Sequence, residues 1–148
     1  MRLRQVLVYE NDRRIADLLR RENSERSCPI REPRRLETCL GLLRKGGRSV
    51  LVVRLGRDLM QELRLLECVT WLFPETGTVV IGDAMSPALV DLAWDLGASL
   101  VFPLLPPGRH LSDVVATFLT DAHENPAAPA EAGDEAAGSK SAGAIDDL

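Results

Sequence analysis

The chain alternates short apolar runs with longer segments of helical hydrophobic spacing, and this alternation constrains the fold more than any other feature of the sequence. The five strand candidates are "QVLVY" (residues 5–9), "SCPIRE" (27–32), "SVLVV" (49–53), "TVVIG" (78–82) and "SLVFP" (99–103). A helical segment follows each of them. Strands that alternate with helices predict a parallel sheet with helices on both faces and right-handed crossovers. The predicted class is therefore α/β, a three-layer sandwich.

The strand candidates differ in how deeply they are expected to lie. Three runs are continuously apolar, which is typical of strands covered on both faces. "SVLVV" is the most apolar of them and is expected at the centre of the sheet. "SCPIRE" contains Pro29 and is followed by Pro33, so it suits an edge strand better than a central one.

The helical segments carry start and stop signals. Asn11 or Asp12 can cap the first helix, Ser86 with Pro87 begins the fourth, and Pro74 stops the third. The residues predicted to face inward are Ile15, Leu18 and Leu19; Leu36, Cys39, Leu40 and Leu43; Leu59, Leu63, Leu66 and Val69 or Thr70; Leu89, Leu92, Ala93 and Leu96; and Leu111, Val114, Val115, Phe118 and Leu119. Trp71, at the end of the third helix, is expected to form part of the lid of the core.

The composition changes sharply at about residue 123. Residues 1–123 hold all the strand and helix candidates and predict one folded domain. Residues 124–148 contain eight alanines and six acidic residues, with only Ile145 and Leu148 as large apolar side chains. Such a segment cannot offset the entropy lost on ordering, so it predicts a disordered, acidic tail rich in Ala, Gly and Pro.

The net charge of −4 hides an asymmetry along the chain. Residues 1–48 hold 13 of the 18 Lys and Arg but only 7 of the 22 Asp and Glu. This basic half could face nucleic acid or an acidic partner. No aromatic residues are interleaved with its arginines to stack on bases, so solvated helix faces are the favoured interpretation and nucleic-acid binding is disfavoured.

Several function classes lack their usual sequence signals. No apolar run is long enough for a membrane helix or a signal peptide, so we expect a cytoplasmic protein without a membrane partner. Cys28, Cys39 and Cys68 form no C-x-x-C pair, and His110 and His123 have no ligand at metal-binding spacing. No glycine-rich phosphate loop is present. We therefore expect inert thiols, no metal and no cofactor.

Four segments together resemble the receiver domain of response regulators, the phosphoacceptor module of two-component signalling. These segments are "VLVYENDRRIADLLRRE", "SVLVVRL", "TVVIGDA" and "DLAWDLGASLVFPL", and the resemblance extends over residues 4 to about 121. It implies the flavodoxin-like fold of CheY, with the five strands in the order 2-1-3-4-5.

The resemblance also implies where a receiver would hold its reactive groups. An acidic pair and an aspartate bind Mg²⁺, the aspartate attacks phosphorus, and a hydroxyl and a lysine bind the phosphoryl oxygens. The position of the acidic pair falls on Glu10 and Asn11, with Asp12 directly after them, and the position of the phosphoacceptor falls on Arg54. The position of the hydroxyl falls on Gly82 or, with a one-residue slip, on Asp83. The position of the lysine falls on Leu104 or Leu105. The resemblance therefore implies a degenerate receiver without the phosphoacceptor.

Arg54 ends the central strand, where the chemistry of open α/β sheets gathers. A guanidinium cannot accept phosphate covalently, repels Mg²⁺ and attracts carboxylates. We therefore hypothesise that Arg54 replaces the metal by pairing with Glu10 and Asp12, and that its loss costs on the order of a few kcal/mol. The alternative is that Arg54 points into solvent. Asp58 is expected to start a helix and Asp83 to cap or turn, rather than to serve as displaced phosphoacceptors.

A partner surface is the remaining expectation. Trp94 and Val90 lie on a flank of the fourth helix away from its inward stripe, although Trp94 could equally pack within the fold. The resemblance implies a partner or dimer face on the fourth helix, fifth strand and fifth helix, with Arg109 of "LPPGRH" at its edge.

The favoured function is a non-catalytic protein-interaction module in bacterial signalling or regulation, not an enzyme, whose output does not depend on phosphorylation. Two alternatives stay open. One is a flavodoxin-like protein that binds a small anionic ligand near Arg54. The other is a weak nucleic-acid binder that uses the basic N-terminal half.

Overall fold

The computed structural model describes residues 4–22 and 28–124, with side chains described up to residue 120. The strands are β1 (Gln5–Tyr9), β2 (Ile30–Arg31), β3 (Ser49–Arg54), β4 (Gly77–Ile81) and β5 (Leu100–Phe102). The helices are α1 (Arg14–Glu22), α2 (Leu36–Lys45), α3 (Leu59–Leu72), α4 (Pro87–Asp95) and α5 (Gly108–Glu124). Among the described residues, no helix has the length and apolar character needed to cross a membrane.

The five strands form one parallel sheet in the order β2-β1-β3-β4-β5, which confirms the predicted fold. The most apolar strand, β3, lies at the centre, and the two-residue β2 lies at the edge as its prolines indicated. The sheet separates two apolar clusters. One packs against α1 and α5, and the other against α2, α3 and α4.

The sheet register fixes the position of the functional candidates. β1 pairs with β3 from Gln5 opposite Ser49 to Tyr9 opposite Val53. Glu10 directly follows β1, and Arg54 is the last residue of β3. Because the strands are parallel and in this register, the two residues lie side by side at the carboxyl ends of the strands.

Three apolar residues predicted to lie inward are exposed instead. Trp71, predicted to cover the core, exposes 80% of its surface, Leu59 exposes 38% and Leu92 exposes 40%. Trp71 comes two residues after the buried Val69, which turns it about 200° around a helix of 3.6 residues per turn. Leu59 lies in the first turn of α3, and Leu92 lies at the border of the stripe that buries Ala93. Hydrophobic identity alone therefore overestimated their burial.

The predicted boundary between the folded domain and the tail lies after residue 123. Helix α5 continues one residue further, to Glu124. The rest of the predicted tail lies outside the described residues.

Burial raises the thiol pKa of two of the three cysteines. Cys39 is fully buried on α2, and burial raises its pKa to about 12. Burial also raises the pKa of Cys28. Since the thiolate is the reactive form, these two residues behave as small apolar side chains.

The turn between α4 and β5 is attached to α3 and to β4 by hydrogen bonds. The Thr70 hydroxyl donates to the carbonyl of Leu96 at 2.7 Å, and Thr78 donates to the carbonyl of Gly97 at 3.2 Å. Gly97 itself has a φ of +107°, and a Cβ added to it would overlap the Thr70 side chain. Both the backbone conformation and the lack of space therefore require glycine here.

Replacing Gly97 with alanine should lower the free energy of unfolding by at least about 1 kcal/mol, because the substitution adds backbone strain and a steric overlap. Gly41→Ala is the matched control, since Gly41 lies within α2 with no atom within 4 Å of an added Cβ. The control should be neutral or stabilise by up to about 1 kcal/mol. Chemical denaturation of both variants measures the difference, and equal effects would contradict the assigned role of Gly97.

Candidate functional site

A cavity of about 200 Å³ opens at the carboxyl ends of β1, β3 and β4. Its lining includes four acidic residues (Glu10, Asp12, Glu62 and Asp83) and two basic ones (Arg54 and Arg57). The loops after three strands therefore bring together the residues that the sequence singled out, except for Gly82 and Leu104, which do not line the cavity.

The main ion pair of the cavity joins Arg54 to Asp12. One guanidinium nitrogen of Arg54 lies 2.9 Å and 3.2 Å from the two carboxylate oxygens of Asp12. The Arg54 side chain is 21% exposed and that of Asp12 is 50% exposed. Arg54 therefore turns toward the carboxylates rather than toward open solvent, but its partner is Asp12 alone.

Glu10 has a different set of partners. Its carboxylate is buried and accepts hydrogen bonds from the backbone N–H groups of Ile15 and Ala16, at 3.0 Å and 2.9 Å. Asp12 accepts a further bond from the N–H of Arg14 at 3.2 Å. These are the first three N–H groups of α1, which have no acceptor within the helix. Glu10 and Asp12 together therefore cap α1.

The two carboxylates are shifted in opposite directions. Burial raises the pKa of Glu10, and the nearby charge of Asp12 adds to this rise, which the two backbone hydrogen bonds only partly offset. For Asp12, burial alone would raise the pKa, but the bond from Arg14 and the charge of Arg54 hold it below its usual value. The ionised form of Asp12 is thus favoured, while that of Glu10 is disfavoured.

Glu62 is a buried acid of the site that the sequence did not single out. Its carboxylate accepts hydrogen bonds from the N–H groups of Gly56 and Asp58, at 2.9 Å and 3.1 Å. Asp58 caps α3 by accepting from the N–H of Gln61, as its expected role at a helix start requires. The available signal was an acid in the first turn after a capping aspartate, which is favourable near the positive end of a helix.

The position matched to the receiver hydroxyl has no room for a larger side chain. Gly82 is buried, its N–H donates to the carbonyl of Phe102 at 2.9 Å, and a Cβ added to it would overlap the side chain of Met85. Of the two residues between Gly82 and Met85, Asp83 is exposed and Ala84 has a left-handed φ of +60°. Met85 therefore fills the space beside the end of β4.

The position matched to the receiver lysine carries no cation. Leu104 exposes 61% of its surface, while Leu105 packs against the core cluster on the side of α1 and α5. No group of three or more His, Cys, Asp or Glu suited to a metal occurs among the described residues. The Mg²⁺ that the resemblance implies does not fit this site, because Arg54 places a permanent cation beside the carboxylate of Asp12.

The proposed contact residues on the last two helices are accessible. Trp94 exposes 44% of its surface, Val90 is partly exposed, and Arg109 is exposed at the start of α5. His110, one residue further, packs its ring edge-on against Phe102 with ring centroids 5.6 Å apart. This accessibility agrees with a contact role for Trp94.

Arg54→Met should destabilise the protein at neutral pH by roughly 0.5–1 kcal/mol, the range of partly exposed ion pairs, rather than by the few kcal/mol expected for a buried pair. The pKa of Asp12 is lowered in the folded state, so its stabilisation is present above the unfolded pKa and lost as pH falls through the folded pKa. The difference between wild type and variant should therefore disappear in acid. Denaturation at a series of pH values measures it.

The matched control for this pair is Arg54→Met in a chain that also carries Asp12→Asn. Without the carboxylate, the substitution of Arg54 should change stability little and without pH dependence. Titration of the Asp12 carboxyl by NMR should show a higher pKa in Arg54→Met alone. An unchanged Asp12 titration would rule out the pair in solution.

Comparisons with known proteins find similarity only at the level of structure. No protein-family model matches the chain, and no curated protein matches it. Among solved structures, a CheY-like receiver domain protein from Methanospirillum hungatei superposes with a TM-score of 0.67 at 14% identity, covering 83% of this chain and 99% of that one. A response regulator from Thermotoga maritima gives 0.68 at 16% identity, covering 80% and 98%.

A receiver domain of a Francisella response regulator is similar to the same extent, with a TM-score of 0.64 at 17% identity, covering 80% of this chain and 98% of that one. All three relationships include almost the whole of the known domain. The described part of this chain therefore has the fold of response regulator receiver domains.

Proposed function

We propose that this chain is a receiver-like protein-interaction module in signalling or regulation, and that its output does not depend on phosphorylation. The observation that carries the proposal is the ion pair between Arg54 and Asp12. It places a permanent cation at the end of the central strand, where the receiver resemblance puts the phosphoacceptor aspartate. A guanidinium is neither a ligand for Mg²⁺ nor a nucleophile toward phosphorus at physiological pH.

Three further features support the loss of phosphotransfer. Gly82 has no hydroxyl, and a side chain at this position would require Met85 to move. Leu104 is apolar where a lysine would hold the phosphoryl group. The carboxylate of Glu10 is occupied by the N-terminus of α1, and releasing it would leave two helix N–H groups without acceptors. Phosphotransfer at this site would therefore require substitutions at several positions and not at Arg54 alone.

An anionic small molecule is the less favoured alternative. The cavity beside Arg54 is lined by four acids and two arginines, and one of these arginines is already paired. An added anion would meet a net negative lining and would have to displace Asp12. The net charge of the lining therefore disfavours a bound anion.

The interaction function is proposed for the surface formed by α4, β5 and α5, with Trp94 as its main contact. A partly exposed tryptophan supplies a large apolar area at low entropic cost, and such residues often dominate binding energy. Val90 and Arg109 are also accessible on these elements. The occupant of this surface is a protein partner or a second copy of the chain.

Treatment with acetyl phosphate and Mg²⁺ should add no phosphoryl group to the protein, as judged by intact mass, and should leave its association state in sedimentation unchanged. Association should weaken at least tenfold in Trp94→Ala, because a truncated central aromatic typically costs 2 kcal/mol or more. Trp71→Ala, which removes the other exposed tryptophan, is the matched control and should have no effect on this association.

Stable, Mg²⁺-dependent phosphorylation would contradict the proposed independence from phosphorylation. If the protein sediments as a monomer, Trp94→Ala and Trp71→Ala are compared with wild type for binding to a protein that co-purifies with the wild-type chain. Equal binding by Trp94→Ala and wild type would then contradict the proposed surface.

A further inference from the structure

A second cavity lies at the opposite edge of the sheet, where β3 and β4 begin. It has a volume of about 400 Å³ and lies between the end of α2 and the turn from α3 into β4. We call it the basal groove and define it by Arg44, Arg48, Leu72, Phe73, Glu75 and Thr76. It lies apart from the cavity around Arg54 and shares no lining residue with it.

The basal groove is predominantly basic. Arg44 and the neighbouring Lys45 are exposed in the last turn of α2, and neither makes a hydrogen bond or ion pair with the described residues. Arg48 donates to the backbone carbonyl of Glu75 at 3.0 Å, which leaves its charge without a carboxylate partner. Glu75 is the one acid in the lining. The groove therefore presents uncompensated positive charge to whatever covers it.

The end of α3 adds apolar surface to the rim of the groove. Leu72 lines the groove and is 55% exposed, and its neighbour Trp71 is 80% exposed. Trp71 and Leu72 thus add exposed apolar surface beside the cations of the groove. This combination suits a ligand that is both acidic and partly apolar.

The chain itself supplies a segment of this composition close by. Phe118 of α5 packs 3.2 Å from the position of a Cβ on Gly77, the residue after Thr76 of the groove. From Phe118 the helix runs six residues further, about 9 Å, to Glu124. Residues 125–148 therefore begin near the same edge of the sheet, and 24 residues can span at most about 80 Å. Their reach is ample.

The charge of residues 125–148 is opposite to that of the groove. They contain five acids, Glu131, Asp134, Glu135, Asp146 and Asp147, against the single cation Lys140. Ile145 and Leu148, the large apolar residues, flank Asp146 and Asp147. We propose that residues 125–148 bind the basal groove of their own chain, with their acids facing Arg44, Lys45 and Arg48 and their apolar residues facing Trp71 and Leu72.

The intramolecular connection makes such binding effective even when each contact is weak. A tethered segment experiences an effective concentration in the millimolar range, which no separate acidic peptide would match under ordinary conditions. Bound in this way, the segment screens the basic edge of the domain from other anions. This inference is independent of the proposed loss of phosphotransfer, because it concerns the other edge of the sheet.

NMR spectra of the full chain test the proposal. A variant with Glu131→Gln, Asp134→Asn, Glu135→Gln, Asp146→Asn and Asp147→Asn should shift the amide signals of the basal groove and the indole signal of Trp71 away from their wild-type positions. Wild type should move toward the same positions at about 1 M salt, where the Debye length falls to about 3 Å. Signals of Glu10 and Arg54 should not move with tail neutralisation, which shows that the fold is intact.

Charge reversal in the groove provides the matched comparison. Arg44→Glu with Lys45→Glu should abolish the response of the Trp71 indole to tail neutralisation. Arg14→Glu, an exposed position at the start of α1 on the opposite edge, should leave that response intact.

Three results would overturn the proposal. The first is groove signals that do not respond to tail neutralisation. The second is a response that disappears on dilution, which would assign the contact to a second copy of the chain. The third is equal affinity of wild type and the tail-neutralised variant for heparin, which would mean that the groove is open to polyanions and not covered by the tail.

Discussion

The parallel pairing of β1 with β3 is the constraint on which the candidate site depends. Its register places Tyr9 opposite Val53, so the chain leaves the sheet at Glu10 and Arg54 side by side. An acid and a base are thereby held next to each other at the carboxyl edge of a buried sheet. At the end of β3, Arg54 places its guanidinium beside the carboxylate of Asp12.

The acids of this edge have a structural role that does not require a metal. Glu10 binds the N–H groups at the start of α1, and Glu62 binds those of the loop that leads into α3. Both are buried carboxylates placed at the positive ends of helices, where negative charge is favourable. Asp12 shares the capping of α1 and also pairs with Arg54. In this receiver-like fold, the acids at the carboxyl edge of the sheet thus hold the starts of two helices.

Much of this could be predicted from the sequence, and the failures have identifiable physical causes. The strand order followed from the alternation of elements together with the resemblance, and the edge position of β2 followed from its prolines. The sequence hypothesis paired Arg54 with both Glu10 and Asp12, whereas the structure has the pair with Asp12, because the pairing depends on side-chain direction, which the strand register does not fix. Met85 at the end of β4 was missed because its position depends on the left-handed backbone of Ala84, an uncommon conformation for a residue other than glycine. Trp71 was misplaced because its apolar character outweighed its position on the helix.

The response of the melting temperature to Mg²⁺ tests most directly whether Arg54 has taken the place of a metal ion. Wild type should melt at the same temperature with and without Mg²⁺. Arg54→Asp should melt at a higher temperature with Mg²⁺ than without it, because the new carboxylate beside Asp12 can bind the ion and a ligand that binds only the folded state stabilises that state. Arg57→Asp, which makes the same change of charge in the same cavity, should show no such response. Stabilisation of wild type by Mg²⁺, or equal responses of the two variants, would contradict the account.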